Sequence, residues 1–234
     1  MEHKTISLKN TARAAGLYYL ILIILGIYGL RYVQSQVSVK GNDIATAKNI
    51  LDHEFLFRSG IFSSIAGNFI YLLLVLAMYS LLKHVNERMA KVMVVSVIVQ
   101  IPISFMLDLC SFTSLMVLKG EVLKTLSFVQ KQDFAMLFLR IRNYGISILE
   151  LYWGIWLIPL GQLIYKSGII PWIIGVLLIL GGIAYIADGV AYLLFPESDP
   201  FVSKFTIVAS VAELSVMLWL LIKGVNVQRS AIAV

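Results

Sequence analysis

The chain has 234 residues, 59% of them hydrophobic and only 14% charged, with a mean hydropathy of +0.88. Soluble domains carry about 45–50% apolar residues, so this composition excludes a water-soluble globule and implies a membrane protein. The net charge of +6 falls in segments between apolar runs, which points to orientation in a bilayer rather than to nucleic acid.

A hydrocarbon core about 30 Å thick needs about 20 helical residues at a rise of about 1.5 Å each. Six runs meet that test, at approximately residues 14–33, 60–82, 92–118, 143–165, 169–195 and 205–222. The first follows Lys4, Lys9 and Arg13. Its apolar run exceeds the roughly 7–15 residues of a signal peptide and lacks a clear small-x-small cleavage site, so it is expected to remain as a span.

After it comes "GNDIATAKNILDHEFLFRSG" (Gly41 to Gly60), with Asn42 or Asp43 as a helix cap and Ile44, Ala47, Leu51 and Phe55 at helical spacing. The tight link "KHVNERMAK" separates the second and third spans. Between the third and fourth, "SFVQKQDFAMLFLRIRN" (Ser127 to Asn143) opens with Ser127 and Gln130 in capping-box spacing and carries Val129, Leu137 and Ile141. Both long segments read as amphipathic helices on the outer surface. The link "YKSG" precedes Pro171 and Trp172, which open the fifth span at an interface.

These runs do not alternate with the period of two that a barrel strand requires. The expected fold is therefore all-α, a single six-helix transmembrane domain over residues 1–234 with two outer-surface helices. Lys and Arg are denser in the short loops on the side of the N-terminus, which favours both termini in the cytoplasm.

Four acids interrupt the spans: Asp108, Glu150, Asp188 and Glu213. A lipid-facing acid at mid-membrane costs about 2.5–3.5 kcal/mol, so each is expected to face the bundle interior. Counted at about 1.5 Å per residue, these four and Asn68 lie roughly 10–15 Å below the outer ends of their helices. Residues three, four and seven apart share a helical face. Each acid thereby joins a stripe of polar, small or tyrosine residues, such as Gln100, Ser104, Asp108 and Ser111, or Gly181, Tyr185, Asp188 and Tyr192.

Two explanations stay open. Arg31, Arg58, Arg140 and Arg142 stand at the outer ends and can pair with the carboxylates in a structural network. Alternatively the acids line a binding site.

Several chemistries are excluded. His3, His53 and His84 all lie outside the spans, so a histidine-ligated metal or haem within the membrane lacks its ligands, and no metal or cofactor is expected. No span contains lysine for a Schiff base. The single Cys110 rules out an intramolecular disulfide and dithiol chemistry.

The segments "TARAAGLYYL", "GNDIATAKNILDHEFLFRSG", "LLKHVNERMA" and "IPLGQLIYKSGIIPWIIGVLLILGGIAYIADGVAYLLFP" together resemble a numbered bacterial family of membrane proteins, domain of unknown function 4386. The resemblance covers most of the chain. It implies a six-helix protein of the bacterial cytoplasmic membrane and brings no substrate or catalytic residue with it.

The residues lead to one expectation of function and two alternatives. A polar, acid-lined cavity in the outer half binds or transports a small cationic or amphipathic molecule, with the arginines at its rim. Tyr185, Tyr192, Tyr152 and Trp153 line its apolar part. The alternatives are an intramembrane enzyme using paired carboxylates such as Asp108 and Asp188, and a structural or regulatory membrane subunit. The bilayer is the one partner the composition requires.

Overall fold

A computed structural model describes residues 2–195, 197 and 199–225. Helix α1 (Glu2–Gly26) continues through a π-helical stretch (Ile27–Val33) into α2 (Gln34–Val37). Then follow α3 (Asp43–Asp52), α4 (Glu54–Leu82), α5 (Glu87–Leu118), α6 (Phe128–Ser167) and α7 (Trp172–Leu194). The short α8 (Asp199–Val202) and a 3-10 turn (Ser203–Thr206) lead into α9 (Ile207–Ile222). Six helical stretches among the described residues are long and apolar enough to cross a membrane: Leu8–Val37, Glu54–Leu82, Glu87–Leu118, Phe128–Ser167, Trp172–Leu194 and Ser203–Ile222. The chain is an all-α, multi-pass membrane protein.

The ends of the helices follow local chemistry. Asn42, not Asp43, caps α3, its Oδ1 accepting from the Ala45 N–H at 2.9 Å. The buried face of α3 is Thr46, Ala47 and Ile50, whereas Ile44 and Phe55 are exposed. The expected capping box forms reciprocally at α6, the Ser127 N–H reaching Gln130 Oε1 at 2.9 Å and the Gln130 N–H reaching Ser127 Oγ at 3.4 Å.

From there α6 runs on without a break for 40 residues. The helix expected before Asn143 is not separate but continuous with that of the fourth span, because no proline or cap at 143–145 ends the ladder. Its buried face is Gln132, Ala135 and Met136, while Val129, Leu137 and Ile141 are exposed.

The chain forms two compact units. One comprises Leu22–Phe69 and Ile101–Ile146. Its apolar core gathers Val37 and Ile50 with Phe57, Leu115 and Met136. Within it the first span meets α4 closely: a Cβ at Gly29 would sit 3.3 Å from the Gly60 carbonyl oxygen. The Tyr28 and Ser59 hydroxyls are hydrogen-bonded at 2.7 Å, and Ser63 Oγ donates to the Leu25 carbonyl at 2.9 Å.

The other unit comprises Met1–Ile21, Ile70–Gln100 and Ser147–Val234. Its arrangement rests on a glycine every seventh residue: Gly154, Gly161, Gly168, Gly175, Gly182 and Gly189. Seven residues are nearly two helical turns, so each series stays on one face. Gly168, with φ +66°, makes the left-handed turn between α6 and α7. Residues equidistant from it therefore meet across the antiparallel hairpin. A Cβ at Gly161 would lie 2.6 Å from the Gly175 carbonyl oxygen, one at Gly154 2.5 Å from that of Gly182, and one at Gly189 3.0 Å from that of Ser147. Helix α9 docks on α7 in the same way, with Gly181 against Ala209. Small residues allow the backbone approach that drives helix association where lipid supplies no hydrophobic force.

A methyl in this seam has no room. Gly161→Ala is expected to destabilise the protein by about 1–3 kcal/mol. Gly26→Ala, in a helix with nothing within 4 Å of the new atom, is expected to be neutral or stabilising by up to about 1 kcal/mol. Thermal unfolding of both variants in one detergent checks the contrast.

Candidate functional site

The sequence-derived candidates fall into both units, and two polar clusters emerge, each around one carboxylate. In the unit of Leu22–Phe69 and Ile101–Ile146, Asp108 of α5 is buried and its Oδ2 accepts from Ser64 Oγ of α4 at 3.0 Å. One turn along, the Asn68 amide donates to Ser104 Oγ at 2.8 Å and to the Ser64 carbonyl at 3.0 Å. The polar stripes of α4 and α5 thus face one another, as the spacing of four predicts. Arg142 of α6 is also buried and interacts with Asp108 electrostatically. Asp108 thus has one hydroxyl donor at hydrogen-bond distance and a buried guanidinium at longer range, and this cluster has the character of a structural polar network.

Of the other arginines, Arg58 and Arg140 find acids outside the expected layer. Arg58 binds Glu54 at 2.7 Å and lies over the Phe112 ring at 5.3 Å, and Lys119 joins the same carboxylate at 3.1 Å. Between them Glu121 and Glu54 hold the Lys119 ammonium above its ordinary range through hydrogen bonds. Arg140 reaches from α6 to Asp43 of α3 at 2.6 Å. Arg31 is exposed. Exposed pairs of this kind contribute little stability each and serve mainly to hold loops in position.

The second cluster lies in the unit of Met1–Ile21, Ile70–Gln100 and Ser147–Val234 and is built differently. Glu213 of α9 accepts from the Tyr19 hydroxyl of α1 at 3.1 Å and from Tyr185 of α7. The Tyr19 ring packs on Trp156 at 6.2 Å, Tyr71 meets the same indole edge-on at 5.1 Å, and Trp153 meets Tyr185 edge-on at 5.6 Å. Gln100 adjoins Tyr71, and its buried Oε1 has no hydrogen-bond partner among the described residues. Tyr19, Tyr71 and Trp156 are buried, whereas Glu213, Tyr185 and Trp153 are half-buried. The aromatic floor is closed, and Glu213 borders it with its carboxylate turned onto the tyrosine hydroxyls. No basic side chain among the described residues contacts Glu213, so its partners are hydroxyls alone.

Of the remaining candidates, Asp188 is buried on α7 one turn beyond Tyr185, and Glu150 and Tyr192 are half-buried, all three with interaction partners. Tyr152 lines a groove along α5. Tyr19, Tyr71, Trp156 and Gln100 join the Glu213 cluster without having been candidate site residues. Trp156 had a legible signal, three residues after Trp153 on the same face. Tyr19 had none beyond its place in an apolar run.

The chain belongs to the family described as domain of unknown function 4386, whose model matches residues 14–224. No curated protein and no solved structure matches it.

Ser64 supplies the hydroxyl donor to buried Asp108. Ser64→Ala is expected to cost about 1.5–3 kcal/mol, the range for a hydrogen bond to a charged group. In Asp108→Asn the same serine change is expected to cost clearly less, since the acceptor is neutral. A double-mutant cycle of unfolding free energies in detergent measures the difference.

Proposed function

We propose that this membrane protein binds a small cationic, partly apolar molecule at the Glu213 cluster, and that its role is to recognise or transport that molecule. The observation that carries the reading is the contrast between the two carboxylates. Asp108 has the Arg142 guanidinium in its surroundings, whereas among the described residues Glu213 has tyrosine hydroxyls as partners and a surround of aromatic rings. A carboxylate within an aromatic surround suits an organic ammonium or phosphonium. The charge meets the carboxylate and the ring faces, while the apolar substituents meet the indoles. The Gln100 carbonyl oxygen offers a second acceptor. Glu213 and Tyr185 are half-buried residues, and in this reading the ligand displaces the tyrosine hydroxyls from the carboxylate as it binds. The proposed setting is the cytoplasmic membrane of a bacterium, as the sequence resemblance implies.

The test uses purified protein and tetraphenylphosphonium, with the fluorescence of the site tryptophans as readout. Saturable quenching is expected in the wild type. Glu213→Gln is expected to bind about tenfold or more weakly, given that close charge pairs couple by about 1.5 kcal/mol or more. Tyr19→Phe, which keeps the ring and loses the hydroxyl, is expected to change affinity less. An affinity unchanged by Glu213→Gln refutes the reading.

A further inference from the structure

A groove of about 730 Å³ runs along α5 on the surface of the unit that contains Ile70–Gln100. Its mouth is charged, with Arg88 and Lys91, and its length is apolar, with Val92, Val95 and Val99 closed by Tyr152. The three valines are 49%, 56% and 43% exposed, so the groove opens outward rather than into the bundle. From Lys91 to Val99 the helix rises about 12 Å, close to the depth of one leaflet's hydrocarbon.

Among the described residues the positive charge at the mouth is balanced only in part. Glu87, also at the groove, is held by Lys91 at 2.9 Å and accepts from the Tyr79 hydroxyl at 3.4 Å. Arg88 is exposed and makes no ion pair among the described residues. Lys83, in the adjoining turn, adds a further positive charge over the Tyr79 ring. An apolar channel one leaflet deep with an uncompensated guanidinium at its interfacial end has the layout of a phospholipid.

We propose that this groove is a binding site for an anionic phospholipid drawn from the bilayer. One acyl chain lies along Val92, Val95 and Val99 against Tyr152. The phosphate and the anionic headgroup sit at Arg88, with Lys91 beside them. A zwitterionic lipid fits the channel equally well and gains less at the mouth, so headgroup charge sets the selectivity. The site is separate in its residues from the Glu213 cluster.

Native mass spectrometry of the full-length protein, titrated with phosphatidylglycerol and with phosphatidylcholine of the same chains, tests the assignment. The wild type is expected to retain phosphatidylglycerol in preference to phosphatidylcholine. Arg88→Gln combined with Lys91→Gln is expected to weaken phosphatidylglycerol about tenfold or more, with phosphatidylcholine unchanged. Val95→Trp fills the channel at an exposed position and is expected to weaken both lipids, while Lys124→Gln in the α5–α6 loop changes neither. Equal retention of the two lipids by the wild type, unchanged phosphatidylglycerol affinity in the double variant, or unchanged retention of both lipids in Val95→Trp overturns the proposal.

Discussion

In the hydrocarbon core of a bilayer no water is present to hydrogen-bond a stray polar group, and the architecture of this protein depends on that condition. Every backbone N–H and C=O must be satisfied by the protein itself, which restricts spans to helices or a closed barrel, and this chain uses helices. A carboxylate must turn inward or find a partner. The two carboxylates that anchor the polar clusters meet the second requirement in different ways. Asp108 accepts from Ser64 and has a buried guanidinium in its surroundings. Glu213 accepts from tyrosines and retains partial exposure. One arrangement brings a basic side chain into the surroundings of the acid, and the other surrounds it with hydroxyls and aromatic rings.

The aromatic surround of Glu213 depends on how closely backbones approach in its unit. The α6–α7 hairpin turns at Gly168, and glycines at equal distances from that turn face one another. Such a register specifies itself, because sliding one helix by a residue would set side chains against backbone along the seam. Trp153 and Trp156 on α6 and Tyr185 on α7 are carried on this hairpin. Gly181 then admits Ala209 of α9, and one turn further along α9 is Glu213. Small residues at the contacts thus determine where the large aromatic and acidic ones stand.

Much of this was legible in the sequence. Six apolar runs of sufficient length predicted the six spans, since span length is imposed by the thickness of the bilayer rather than by subtle preference. The Asn42 cap and the Ser127–Gln130 box were readable because capping is local chemistry between residues three apart. Boundaries and faces were harder. The stretch around Asn143 carries polar residues that resemble a helix end, yet α6 passes through it, because polarity alone does not break a ladder. In the flanking segments the exposed residues Ile44 and Val129 are apolar. Periodicity locates an apolar stripe without saying whether protein or another apolar medium covers it. That Asp108 stands on a polar stripe was legible, whereas its pairing with Ser64 and the meeting of Tyr19 with Glu213, 194 residues apart, had no local signature. The seven-residue glycine spacing was visible throughout, and its meaning required the turn at Gly168 to be recognised as its centre.

The central claim is that the Glu213 carboxylate is retained for a ligand and not for the fold. The most direct measurement is the unfolding free energy of Glu213→Gln against wild type, without ligand, in one detergent at one pH. Glutamine keeps the shape and one acceptor oxygen for Tyr19, while its amide nitrogen can donate to the oxygen of Tyr185, so the charge is removed and both tyrosines keep a partner. The account predicts equal or greater stability in the variant, as expected when a partly desolvated charge is kept for function. A loss of about 3 kcal/mol or more, the cost of breaking a buried structural pair, would contradict it.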